Sequence, residues 1–337
     1  MLRFLFIVWA VSFSNLLIAQ NSAASSIEEA RRLIRTGQSE QALRALNAMA
    51  TATPEPPGVE RTRGSALYAL DKLKEADKAF ESAIAQDAGD LESTQMRGLT
   101  LFRLGRPAEA IPLLEKAPGT SLQTKADPSY VLALCYMDTR RYDDARHAFA
   151  AQYNFPSDSP SAYLLAARML FRREYLPVAQ RFAEESLKLD PQLPLANELL
   201  GEIALTHNQF AEATGYFEKE RSRNPLEGST YERLGDVYSR AGRYAEARRV
   251  LQQAILLEPN STGPYILLGK VTLKEGDAVA ALTFLQKAVR MDPANFMSHN
   301  LLAQTYRALG RSADAARELE LTQKIQAVDT PHLGAPQ

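Results

Sequence analysis

Apolar and polar positions follow two periods along this chain, one that belongs to helices and a longer one that spans a pair of them. In the stretch 231–259, YERLGDVYSRAGRYAEARRVLQQAILLEP, apolar residues return every third or fourth position through two short runs. That spacing predicts two amphipathic helices joined by a turn at Gly242. Each run carries one of the smallest residues, Gly235 or Ala247, in its interior, where bulky apolar side chains would be expected.

The longer period explains them. Equal steps, with one extra residue between 119 and 125, connect Gly64, Gly98, Ala133, Ala167, Gly201, Gly235, Gly269 and Ala303. A second column reads Ala42, Ala76, Ala110, Ala145, Ala179, Ala213, Ala247, Ala281 and Ala315. Four residues after each alanine stands a large apolar residue, Leu46, Phe80, Leu114, Phe149, Phe217, Leu251, Leu285 or Leu319, with Ala183 the exception. This spacing puts small and large side chains on one face of the second helix. Pro54, Pro191, Pro225, Pro259 and Pro293 close many units, because proline cannot continue a helix and moves its predecessor out of the helical region. Gly37, Gly105, Gly242, Gly276 and Gly310 mark the turn within a unit, where a helix C-terminus commonly needs a positive φ. A glycine inside a helix costs about 1 kcal/mol relative to alanine. The small columns therefore predict places where a neighbouring helix comes close. Two short helices cannot bury an apolar face alone, and stacked units can build a shared core.

The order Tyr231, Leu234, Gly235, Tyr238, Ala247, Leu251, Ala254, Pro259 resembles the tetratricopeptide repeat, W-x2-L-G-x2-Y followed by A-x3-F, A and P. The unit 262–295 is similar through Tyr265, Leu268, Gly269, Ala281, Leu285, Ala288 and Pro293. The register runs over units 23–56, 57–90, 91–125, 126–159, 160–193, 194–227, 228–261, 262–295 and 296–329. The resemblance implies an all-α fold, an α-solenoid of antiparallel helix pairs wound into a right-handed superhelix. Three units depart from the motif, with Glu29, Arg63 and Arg97 where leucine precedes the small residue, and irregular packing is expected there. The stretch 117–128, APGTSLQTKADP, reads as a longer loop and a hinge between two sub-arrays. The polar last helix, ADAARELELTQKIQA, suits a solvent-facing terminal cap, and a disordered tail is expected over 330–337.

Composition narrows the function classes. With 45% hydrophobic residues among 337, the chain is too apolar to be disordered, and a net charge of -1 gives no footprint for nucleic acid. At the N-terminus, Arg3 precedes an apolar run from Phe4 to Ala19, which reads as a signal peptide over 1–22, cut after Ala19 or Ala23. The alternative is an uncleaved anchor, since the run is only slightly short of a membrane span. Export to the periplasm or the extracellular space follows from the first reading, an inner-membrane anchor from the second. The single cysteine, Cys135, lies on an apolar helix face and is expected to be buried filler.

Catalytic chemistry finds little support. His147, His207, His299 and His332 fall in different units, and isolated surface or turn positions are expected for them. The chain has no HExxH, no Walker-type GxxxxGK[ST], no GxSxG and no GxGxxG after a strand. No enzyme activity, cofactor, metal or small-molecule substrate is therefore expected. Asn260, Ser261 and Thr262 fit a glycosylation acceptor, which matters only in a eukaryotic secretory host.

What the resemblance does imply is a concave groove lined by first helices, which accepts a peptide or partner helix. The motif places Leu99 and Phe102, then Tyr130, Leu134 and Met137, then Leu164, Arg168 and Phe171 on that lining, an apolar stretch. The next two units contribute Glu198, Glu202, Glu232 and Asp236. One reading is a groove for a partner with hydrophobic anchors beside Lys or Arg. The other is that the apolar residues pack between repeats and the acids form a solvated face paired with nearby bases. The carboxylate clamp of the family needs Lys, Asn and Arg in these columns, and here acids or apolar residues occupy most of them. The expectation is a non-enzymatic protein-binding scaffold in cell-envelope assembly or secretion. A targeting subunit for a separately encoded enzyme and a co-chaperone-like adaptor are the alternatives.

Overall fold

In the computed structural model, residues 24–51, 55–118 and 127–329 are described, and among them the secondary structure is helical throughout, without a strand. The segment 1–22 read as a signal peptide, Pro54, the centre of the 117–128 loop and the 330–337 tail lie outside the described residues. The chain divides into two compact units, Met1–Asp158 and Ser159–Gln337. The division does not fall in the 117–128 stretch read as a hinge. Its flanking helices pack against each other, so the longer connection does not interrupt the stack.

Unit 1 holds α1 (24–35), α2 (Ser39–Ala50), α3 (Val59–Ala69), α4 (Leu73–Gln86), α5 (Leu91–Arg103), α6 (Pro107–Lys116), α7 (Pro128–Asp138) and α8 (Tyr142–Gln152). Unit 2 holds α9 (Pro160–Arg172), α10 (Leu176–Leu189), α11 (Ala196–Thr206), α12 (Phe210–Arg223), α13 (Gly228–Arg240), α14 (Tyr244–Leu257), α15 (Gly263–Lys274), α16 (Ala278–Met291), α17 (Phe296–Ala308) and α18 (Ser312–Asp329). These are nine antiparallel helix pairs among the described residues. Within each unit a helix packs on its chain neighbour, and first helices also touch one another, as in α3–α5, α13–α15 and α15–α17.

Where the small residue of a first helix is glycine, it meets the large residue of the second helix in the same pair. A Cβ added to Gly64 would come to 2.6 Å from the Phe80 ring, one on Gly98 to 2.7 Å from Leu114, and one on Gly201 to 2.7 Å from Phe217. Gly235 meets Leu251 and Gly269 meets Leu285 more closely still. Phe80, Phe217, Leu251 and Leu285 are each 0% exposed, so these contacts are the centre of each hairpin's core. Ala183, the one small member of the large column, belongs to the same pair as Ala167, and both are fully buried. There the adjacent Phe182 fills the space and packs edge-on against Tyr163 at 5.6 Å.

Turns follow the same period. All nine within-pair turns contain a left-handed residue with φ between 57° and 89°, at Gly37, Asp71, Gly105, Arg140, Glu174, Asn208, Gly242, Gly276 and Gly310. Only the five glycines announce themselves in sequence. Each turn is closed by two backbone bonds, as where Gly242 N–H donates to Ser239 O at 3.2 Å and Arg243 N–H to Tyr238 O at 2.8 Å. This is the Schellman pattern, which satisfies the last carbonyls of the first helix. Between pairs, the C-cap residues Asp190, Asn224, Glu258 and Asp292 leave the helical region with φ from -125° to -139°, each immediately before a proline.

The irregular packing expected in the early units is corrected at two of the three positions. Arg63 donates to Asn47 of α2 at 2.8 Å, and Arg97 reaches Asp77 at 2.8 Å and Glu81 at 2.6 Å on α4. Polar bonds to the preceding second helix thus replace the leucine contact, while the Gly64–Phe80 and Gly98–Leu114 contacts stay in place. Glu29 pairs with Arg32 on the exposed side of α1. α18 is exposed over most of its length, with only Ala315 and Thr322 buried among its described side chains, as a terminal cap requires.

Candidate partner-binding faces

The helix pairs place the expected groove residues on first helices, but they do not all present surface. In unit 1, Leu99 on α5 and Met137 on α7 are 1% and 0% exposed, so both belong to the core. Phe102 and Leu134 are half-buried. Tyr130 is half-buried too, its ring tilted against Phe149 at 5.7 Å. In unit 2, Leu164 on α9 is buried and Phe171 half-buried. An apolar residue enclosed between helices on all sides offers nothing to a ligand, so the apolar stretch read from sequence reduces to Phe102, Tyr130, Leu134 and Phe171.

The four carboxylates of α11 and α13 share unit 2 with several arginines. Glu202 pairs with Arg233 at 2.6 Å, and Asp236 with Arg240 one turn further along α13 at 2.9 Å. Glu232 accepts a bond from Ser261 Oγ at 3.4 Å, and its carboxylate occupies the space that a Cβ on Gly263 would need. Burial pushes the Glu232 carboxyl above its ordinary range, against the pull of the Arg233 charge and the Ser261 bond. Glu198 is the most enclosed of the four at 8% exposure, and its Oε2 has no hydrogen-bond partner. Burial first, and the Glu202 charge second, push its carboxyl upward, while Arg168 and Arg233 oppose this. Arg168 itself donates to the Leu195 carbonyl at 3.4 Å. Within the acidic group, Glu202 and Asp236 are thus balanced by arginines, while burial raises the carboxyls of Glu198 and Glu232.

Sequence reading missed Arg233 and Arg240. Arg240 stands four residues after Asp236 on α13, a spacing the sequence does show, whereas Arg233 becomes a partner only because Glu202 lies on the neighbouring first helix α11. Among the described residues, the further cations Lys270, Lys274 and Arg307 on α15 and α17 have no ion pair. Among the described residues no group of three or more His, Cys, Asp or Glu side chains could hold a metal ion. Cys135 is buried, as its helix face implies. The histidine expectation needs correcting at one position: His299 is 4% exposed, with both ring nitrogens in hydrogen-bonding contact. His207 sits at the C-cap of α11 with Nδ1 3.1 Å from Ile203 O, and His332 lies outside the described residues. No described helix is long and apolar enough to cross a membrane.

Antiparallel pairs of short helices at a fixed sequence period, joined by left-handed turns and closed by prolines, define a helical-repeat protein. Family models for the tetratricopeptide repeat match residues 229–261 and 272–335, and a model described as anaphase-promoting complex, cyclosome, subunit 3 matches residues 76–152. The chain is a tetratricopeptide-repeat protein, and this fold is one that supports protein–protein interaction. Among solved structures it is similar to MamA from Desulfovibrio magneticus RS-1, at 20% identity over 52% of this chain and 98% of that one, with a TM-score of 0.47. It is similar to YrrB, described as a TPR protein with an unusual peptide-binding site, at 22% identity over 56% and 95% of the two chains, with a TM-score of 0.44. It is also similar to yeast Tom70, at 12% identity over 91% and 94%, with a TM-score of 0.44. No curated protein matches the sequence.

Proposed function

We propose that this protein is a non-enzymatic scaffold that holds a partner protein or peptide on the first helices of its repeats, in cell-envelope assembly or secretion. The observation that carries the reading is the group Glu198, Glu202, Glu232 and Asp236, which sets four carboxylates on the consecutive first helices α11 and α13. Arg233 and Arg240 hold two of them in fixed positions, and Glu198 keeps one buried oxygen without a hydrogen bond. A partner segment with Lys or Arg beside apolar anchors complements such a face. Partly enclosed Phe171 offers apolar area in the same unit. Placement in the envelope is supported by the apolar N-terminal run behind Arg3.

Affinity capture of the mature protein followed by mass spectrometry tests the scaffold reading. A specific partner should be recovered by the wild type and lost on Glu202→Lys together with Asp236→Lys, with helicity by circular dichroism unchanged. The same profile from both proteins would refute the acidic face as the recognition feature. For the location, N-terminal sequencing of the exported protein should begin after Ala19 or Ala23, and a mature chain beginning at Met1 would refute cleavage.

A further inference from the structure

One column of the repeat changes sign along unit 2. It holds Glu202 on α11, Asp236 on α13, Lys270 on α15 and Gln304 on α17, each one repeat after the last. Equivalent positions on stacked first helices lie on one side of the stack. α13 touches α15 and α15 touches α17, so that side is continuous. α11 carries Glu198 and Glu202 and no Lys or Arg, whereas α15 and α17 carry Lys270, Lys274 and Arg307 and no Asp or Glu. Lys274 stands four residues after Lys270, and Arg307 three after Gln304, so both share the helix face of the column.

The two signs do not cancel within the protein. Glu202 and Asp236 are held by Arg233 and Arg240, and Glu275, at the C-cap of α15, by Arg248. That leaves Lys270, Lys274 and Arg307 without an ion pair among the described residues. Lys270 is half-buried, and Lys274 and Arg307 are exposed. At the acidic end, the enclosed Glu198 keeps its Oε2 without a hydrogen-bond partner.

From this separation we infer that the first-helix side of unit 2 binds an extended partner segment charged with both signs, its Lys or Arg block over α11 and α13 and an Asp or Glu block over α15 and α17. The inference rests on the scaffold reading above and adds the acidic block, the order of the blocks and their spacing. First helices in contact have axes about 10 Å apart. The centres of the two signs are two such steps apart, about 20 Å, which an extended chain covers in about six residues at about 3.3 Å each. Between the blocks, half-buried Ile266 and Leu273 flank Lys270 on its face of α15 and offer apolar area to the spacer. A second copy of the chain fits less well. Glu198, Glu202, Glu232, Asp236 and Lys270 are all half-buried or deeper, and two such recessed faces could not bring their charges together. A single strand with long Lys and Arg side chains reaches them.

Fluorescence anisotropy with synthetic peptides tests this on the full chain. Each peptide joins a Lys-Arg-Lys block to an Asp-Glu-Asp block, in either order, through a Ser and Leu spacer of about six residues or about half or twice that length. At the matched length, the two-block peptide should bind about five- to tenfold tighter than one whose acidic block is replaced by serine, the scale of two or three partly exposed ion pairs. Lys270→Glu with Arg307→Glu should abolish that difference and keep the preference for the basic block, with helicity unchanged. If this variant does not fold, Lys274→Glu with Arg307→Glu, both at exposed positions, takes its place. No gain from the acidic block in the wild type, equal binding at every spacer length, or a gain that survives in the double variant would overturn the two-sign segment alone. Indifference to the basic block would overturn the scaffold's acidic face as well. Sedimentation without peptide tests the rival occupant: a mass that doubles with concentration in the wild type, and not in the double variant, would assign this side to a second copy and overturn the segment.

Discussion

Alanine at position 235 would add one methyl group where the first helix of a pair already touches the second. In isolation the change should help, since alanine is favoured over glycine in a helix interior by about 1 kcal/mol. Here the new Cβ would overlap both Cγ and Cδ2 of Leu251, and Cγ cannot swing away because Leu251 is itself fully buried. Overpacking of this kind costs about 1–3 kcal/mol, so Gly235→Ala should range from neutral to about 2 kcal/mol destabilising. Leu251→Ala alone removes a fully buried side chain and should cost about 2–5 kcal/mol. In the double variant the overlap is gone, and the alanine at 235 should stabilise by up to about 1 kcal/mol. The pair then matches Ala167 and Ala183, which the protein already contains. The coupling energy of the cycle should therefore be about 1–3 kcal/mol. Because repeat arrays can lose two-state behaviour, the assay is hydrogen exchange of the α13 and α14 amides in the four proteins. Effects that add to within about 0.5 kcal/mol would refute close packing as the reason for the glycine.

Glu174 has a φ of 63° and an exposed side chain, and Glu174→Gly should stabilise by about 0.5–1 kcal/mol by relieving the left-handed strain. Thermal melting checks this, and the same change at Arg140 should act in the same direction. Glu198→Gln should stabilise at neutral pH and have little effect near pH 4. Its carboxyl is raised by burial, so the folded state binds more protons than the unfolded one, and the native acid lowers stability as pH rises through its raised value. Urea midpoints at the two pH values measure the difference. Arg97→Ala should cost about 1 kcal/mol or more, because it breaks the bonds to Asp77 and Glu81 at a position where other units use leucine. Denaturant midpoints of the variant and the wild type decide it.

The repeat, the number of helix pairs and the positions of tightest packing were legible in sequence because each is a periodic requirement. A short amphipathic hairpin needs a small residue opposite a large one, a turn and a stop, and repetition prints that requirement at fixed spacing. Even the exception at Ala183 was visible as a break in the column, although its compensation by Phe182 and Tyr163 was not. Left-handed turns at Arg140 and Glu174 left no mark, since the backbone bonds closing those turns impose the conformation on residues that do not favour it.

The candidate groove residues were legible only as columns. The column predicts which side of a helix a residue lies on, and it assigned Leu99, Met137 and Leu164 to the same lining as Glu202 and Asp236. How deeply each side chain is covered depends on neighbours that are distant in sequence, and those buried the three apolar residues. Pairing of Glu202 with Arg233 joins two consecutive first helices across an intervening second helix, and no local pattern encodes it. His299 shows the division most clearly. Its column, shared with Tyr231 and Tyr265, determines the bond to the proline carbonyl, because that contact is local and repeats. Its second partner, Glu318, comes from another helix brought within 2.6 Å by packing, and that contact is a property of tertiary structure alone.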